Sequence, residues 1–257
     1  RARAQLEHGD LRAEGRLMMG PRTVLAVVGL MVIPGLAPAQ SPTTTGRVEG
    51  VVSISERLIT PRMRVRVYDE PGGAPQRPPS PEHGFAGVVL YLQPSGGNAA
   101  LRGAGPRQRA PTPALRQRDE RFTPHVLPIL AGTTVEFPND DDVFHNVFSL
   151  SSARTFDLGR YARGSSRGVN FPTAGVVQVF CHIHADMSGI VLVLDNPFFV
   201  VPDSSGRFVF DGAPPGAYQL VAWHERIKPV YTPVRIDAGR ATPVRIRIPL
   251  PREPGEQ

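Results

Sequence analysis

Apolar and polar positions alternate in short runs along most of this chain. GRVEGVVSISERL (46–58) and RMRVRVYDE (62–70) carry the two-residue period of strands with one buried face. AGVVLYLQP (86–94) is apolar almost without a break, as in a strand covered on both faces. Between the last two lies PGGAPQRPPSPEHG (71–84), a loop by composition, and a second stretch rich in Pro, Gly and Arg runs from Pro94 to Pro113. From Ala114 the segment ALRQRDERFTPHVLPILAGTTVEFPNDDDVFHNVFSL predicts three strands, with a turn at Gly132 and an acidic loop at Asp140 to Asp142. RTFDLGRY, ARGSSRG, VNFPTAG, VVQVFCHIH and GIVLVLD follow, completing a β unit of about 85 residues, within the usual size of a domain. After Asn196 the pieces DSSGRFVF, GAPPGAYQLVAWH and VRIRI read as hairpins of a smaller sandwich. The fold class is therefore all-β, with helix scarce.

Composition agrees with that reading. The 257 residues include 26 Gly and 28 Pro, and 40% are apolar, enough to bury a core. The net charge of +6 is almost wholly arginine and is scattered, not gathered with aromatics into a nucleic-acid footprint. Residues 18–39, MMGPRTVLAVVGLMVIPGLAPA, have a basic Arg22, an apolar run from Val24 to Leu36, and the small residues Ala37 and Ala39, the layout of a signal peptide. The apolar run falls short of the roughly 20 residues that cross a bilayer, so no membrane span is expected after cleavage. Residues 1–17 read as translated upstream sequence or an expression remnant. The expected location is periplasmic or secreted. In an oxidising compartment cysteines usually pair, yet Cys181 is the only one, which leaves plain burial, an intermolecular disulfide or a metal.

FCHIHADMSG (180–189) bears on that choice. On an ideal strand Val177, Val179, Cys181 and Ile183 share one face, and Val176, Gln178, Phe180 and His182 the other. His184 and Met187 follow where the strand gives way to a turn, so the spacing CxxHxxM can gather three donors on one point. A fourth donor is offered by His145 in NDDDVFHNVFS. Two imidazole nitrogens, one thiolate and a weak thioether suit copper in both oxidation states. His182 faces away from this cluster. His83 and His125 read as surface residues, Trp223 as sandwich core, His224 as a strand-end polar residue, and Asp140 to Asp142 as a solvated turn without the spaced ligands of a calcium loop.

At these residues the chain resembles the cupredoxins. FTPHVLPILAGTTVEFPNDDDVFHNVFS followed by FCHIHADM, within residues 110–195, is similar to the small blue copper proteins, and the short CxxHxxM spacing is closer to the amicyanin type than to the plastocyanin type. The resemblance implies a Greek-key β-sandwich holding one mononuclear type 1 copper, with His145, Cys181 and His184 as equatorial ligands and Met187 as the axial one. It further implies that Asn146 ties the two ligand loops together. Single electrons would pass to a redox partner protein through the exposed edge of His184, with Ile183 and Ala185 in an apolar docking patch. GRVEGVV and DSSGRFVFDGAPPGAYQLVAWHE resemble a second family, the carboxypeptidase regulatory-like (transthyretin-like) β-sandwich. That resemblance implies one sandwich built from 46–98 and 199–250, with the copper unit inserted. No nucleophile and base motif is visible, so the expectation is an electron-transfer protein and not an enzyme. The alternatives are a periplasmic copper carrier, store or sensor without redox traffic, and a structural zinc site using Cys181, His184 and His145, with or without His182.

Overall fold

The structure, a computed structural model, describes residues 45–55, 58, 84–96, 101 and 111–249. The segments 1–17 and 18–39, the alternating run 62–70, His83 and most of both Pro- and Gly-rich stretches lie outside the described residues. Every named element among the described residues is a strand, so the protein is all-β.

The strand β1 (Gly46–Ile54) shows how the period acts. Val48 and Val52 are fully inward, whereas Arg47, Val51 and Ser53 face out. It lies between β13 (Arg207–Ala213), antiparallel, and β16 (Ala241–Ile248), parallel. A second sheet runs in the order β12 (Phe199–Val200), β2 (Val89–Pro94), β14 (Gly216–Trp223) and β15 (Val230–Ile236). The two sheets share a core that includes Val48, Val52, Leu90, Phe208, Phe210, Leu220 and Ile246. Strands from the start of the chain thus pair with strands from its end, across everything between them.

Between β2 and β12 the chain builds a five-stranded sheet in the order β5 (Val126–Leu130), β11 (Ser188–Leu194), β10 (Gly175–Phe180), β7 (His145–Ser151) and β8 (Arg154–Tyr161). Two ribbons, β3 (Arg116–Arg118) with β4 (Arg121–Thr123) and β6 (Thr133–Glu136) with β9 (Gly168–Phe171), share its core. That core gathers Leu115, Phe122, Phe137, Val147, Phe171, Val177 and Val179, together with Cys181 and Met187.

Strand β11 is buried along both faces, the physical reason for the unbroken apolar run GIVLVLD. Val191 and Val193 enter the core just described, while Ile190, Leu192 and Leu194 join Val89, Val126 and Trp223 in a separate apolar seam. The seam fastens the sheet of β2 and β14 to the five-stranded sheet. At about 1.5–3 kcal/mol per large buried side chain, an upper estimate, it dominates that contact. The pair at its margin, His125 Nε2 to Glu225 Oε2 at 3.2 Å, is partly exposed and is worth about 0–1 kcal/mol. Trp223 is therefore core, as its composition suggested, but core of the junction between sheets. His125 is not a free surface residue, because its Nδ1 also lies 3.2 Å from the carbonyl oxygen of Ser188. His224, at the end of β14, is buried, and its Nδ1 accepts the amide of Arg226 at 3.2 Å.

Candidate metal centre

Antiparallel pairing of β10 with β7 sets Phe180 opposite Phe148 and brings the residue after β10, Cys181, beside the residue that opens β7, His145. An irregularity between Asn146 and Phe148 breaks the alternation of β7, so His145, Asn146 and Val147 are all buried in succession. Irregularities of this kind re-aim side chains next to functional sites. The chain then closes tightly around the third donor. The amide of Cys181 donates to the carbonyl of Met187 at 3.2 Å, and the amide of Met187 to the carbonyl of His184 at 3.0 Å. Gly189 lets β11 start hard against β4, since a Cβ there would meet Phe122 Cβ at 2.9 Å.

The sulfur of Cys181 lies 3.8 Å from Nδ1 of His145 and 3.7 Å from Nδ1 of His184, and the two nitrogens are 3.1 Å apart. Bond lengths of about 2.0–2.1 Å to nitrogen and about 2.3 Å to thiolate sulfur need in-plane separations of roughly 3.5 Å between nitrogens and roughly 3.8 Å between nitrogen and sulfur. The two sulfur edges match, and the nitrogen edge needs only a slight opening. His145 is fully buried, Cys181 is 5% exposed and His184 is partly exposed, so the triangle is closed to bulk water except at one imidazole. Among the described residues these three form the one group of His, Cys, Asp or Glu donors close enough to hold an ion. Met187 is 1% exposed and packs in the same core as Cys181.

The charges suit a cation. Burial alone pushes the Cys181 thiol up, but His145 and the backbone amides of Asn146, Ile183 and His184 outweigh it and bring it down to about 6. Burial lowers the His145 pKa, and Cys181 and Asp141 overcome this and raise it. The metal-free triangle therefore favours a thiolate facing an imidazolium, and a bound metal ion would take the place of that proton.

Asp141 is the contact to this cluster that the sequence reading missed. The acidic loop is not a uniformly solvated turn: the side chain of Asp141 is 13% exposed, and its Oδ2 lies 2.8 Å from Nε2 of His145. Asp140 and Asp142 turn outward to Arg116 and Arg163. The sequence signal is the four-residue step from Asp141 to His145, which is ambiguous while three aspartates stand in a row. Asn146 differs in detail from the expected tie. Its side chain donates to Asp157 Oδ1 on β8 at 2.7 Å, and its contact with the ligand loop is the backbone amide aimed at the Cys181 sulfur.

His182 stays out of the cluster. It is exposed and stacks on Phe148 with ring centroids 3.8 Å apart and planes 8° apart. Ile183 departs from the ideal alternation: β10 ends at Phe180, and Ile183 is 37% exposed instead of sharing the inner face of Cys181. Val143 and Phe144, just before His145, are likewise exposed.

No family model matches the chain, and no curated protein matches it either. Solved structures similar to it include a reduced amicyanin variant, at 20% identity over 34% of this chain and 87% of that one, with a TM-score of 0.31. An oxidised amicyanin variant is similar at 18% identity with the same coverage and TM-score. A purple cupredoxin from Nitrosopumilus maritimus is similar at 26% identity over 32% of this chain and 96% of that one, with a TM-score of 0.29. These likenesses span about a third of the chain and leave the carboxypeptidase regulatory-like resemblance of the outer segments unsupported.

Proposed function

We propose that this protein is an exported mononuclear copper protein that carries single electrons. The observation that carries the reading is the buried triangle of one acidified thiol and two Nδ1 nitrogens, with edges of 3.1 to 3.8 Å. Copper, when bound, supplies a one-electron couple between its two oxidation states. The chain's own residues do the rest. Cys181 and the two imidazoles offer a donor set acceptable to both states, and a frame of paired strands keeps it from rearranging when charge changes. Met187, buried beside Cys181, is the candidate weak fourth donor.

His184 is the one ligand with an accessible edge, and Ile183, Val143 and Phe144 supply exposed apolar surface next to the ligands in the chain. A protein redox partner docking there meets the shortest way out for an electron. A four-donor nitrogen and sulfur zinc site is the weaker reading, because His182 stacks on Phe148 and is absent from the donor group. The export half of the proposal rests on the signal-like segment 18–39.

The deciding experiment adds Cu(II) to the purified protein and records the visible spectrum. An intense thiolate-to-copper charge-transfer band that a reductant bleaches and an oxidant restores supports electron transfer. A band with very slow electron exchange points to storage or carriage, and the lack of any band removes the copper reading.

A further inference from the structure

The acidic loop offers an inference that rests on the metal-binding reading above and deepens it. We propose that Asp141 is a positioning residue of the metal centre: its carboxylate, gripped by the β3–β4 turn, holds Nε2–H of His145 so that Nδ1 is the nitrogen presented to the ion.

The carboxylate gathers three donors. Its Oδ1 accepts the amide of Asp119 at 2.6 Å, and its Oδ2 accepts the amide of Glu120 at 2.9 Å and faces Nε2 of His145 at 2.8 Å. Asp119 and Glu120 both have φ of 55°, the left-handed pair of a tight two-residue hairpin turn, which aims successive amides at one acceptor. The loop is pinned from its other side by Asn139. Its Oδ1 accepts the amide of Asp141 at 2.9 Å, and its Nδ2 donates to the carbonyls of Val143 at 2.9 Å and Tyr161 at 3.1 Å. An ionised carboxylate only accepts hydrogen bonds, so the His145 nitrogen facing it must carry the proton. With His145 fully buried, no water competes for that proton.

The contact has two consequences. It fixes the ring orientation, and it makes the imidazole a stronger donor, which favours the more highly charged copper state. Asp140 and Asp142, paired outward with Arg116 and Arg163, supply similar charge without the contact and serve as controls.

The test uses the whole protein and four variants, Asp141→Asn, Asp141→Ala, Asp140→Asn and Asp142→Asn. In the metal-free wild type, proton NMR should show a slowly exchanging Nε2–H of His145, and Asp141→Ala should lose that protection. With copper, both Asp141 variants should bind Cu(II) about 10–100-fold more weakly, and their reduction potentials should rise. Asp140→Asn and Asp142→Asn should match the wild type in both. An unprotected Nε2–H in the wild type overturns the inference whether or not copper binds, and needs no variant to fold. Unchanged affinity and potential in Asp141→Asn, or equal losses in Asp140→Asn, overturn it as well. Failure of the wild type to bind copper instead removes the functional reading, and the exchange measurement then still decides the contact.

Discussion

Cys181 and His182, neighbours in the chain, point to opposite sides of the five-stranded sheet. The sulfur of Cys181 sits 3.7 Å from Nδ1 of His184, whereas the His182 ring lies 3.8 Å above Phe148. Their substitutions should therefore separate cleanly. Cys181→Ser removes the sulfur donor at nearly constant volume, so the charge-transfer band should vanish while the fold persists, at a cost of about 0.5–3 kcal/mol. His182→Ala should keep the band and lose only an exposed ring stack, about 0.5–1.5 kcal/mol. Visible absorbance and thermal melts of the two proteins check both, and loss of colour in His182→Ala contradicts the facing seen here.

Copper binding should weaken in acid. The Cys181 thiol, at about 6, must lose its proton to bind, and so must Nδ1 of His145, whose pKa is raised. Each proton displaced lowers apparent affinity by up to about tenfold per pH unit below the pKa concerned. Affinity should thus fall gently as pH drops through the His145 transition and more steeply below about 6. Competition titrations across pH measure the slope. In the metal-free protein, the ultraviolet thiolate absorbance should titrate near 6 and not near the ordinary thiol value.

The apolar seam should matter to stability and not to the metal. Trp223 is 8% exposed and packs with Val89, Ile190 and Leu192 between the two sheets. Trp223→Ala should cost about 3–5 kcal/mol, since the remaining side chains cannot close so large a hole. The visible spectrum of the folded, copper-loaded variant should match the wild type. Calorimetry and absorbance on the same sample decide it, and a shifted band would mean that the seam transmits strain to the ligand loop.

What could be read before the structure follows from how local each signal is. The alternation in β1 is a property of neighbouring residues, and CxxHxxM sets three donors within one turn, so strand pattern and ligand loop were both visible. His145 was reachable because it stands where the loop NDDD gives way to a strand in NDDDVFHNVFS, upstream of CxxHxxM. Asp141 was not, because which of three adjacent aspartates faces inward depends on amides of Asp119 and Glu120 in a separate hairpin. The exposure of Ile183 was hidden for a related reason: strand periodicity assumes that the strand continues, and β10 ends at Phe180. The apolar run of β11 marked a strand, but its burial on a second face depends on Trp223 and Val89, which lie far from it in the chain.

Met187 carries the last prediction because its burial fits two roles. At 1% exposure, in a core with Leu115 and Phe122, it could fill space alone, as methionine often does. It also closes the ligand loop through its backbone, which anchors its position next to Cys181. Met187→Leu nearly conserves volume and should cost less than about 1.5 kcal/mol. If the thioether reaches the ion, its loss destabilises Cu(II) more than Cu(I), so the reduction potential should rise while the thiolate band persists. Voltammetry of the variant separates the roles: a raised potential with little change in melting makes Met187 a weak axial donor. An unchanged potential with altered melting makes it core and leaves the ion to the three donors of the triangle.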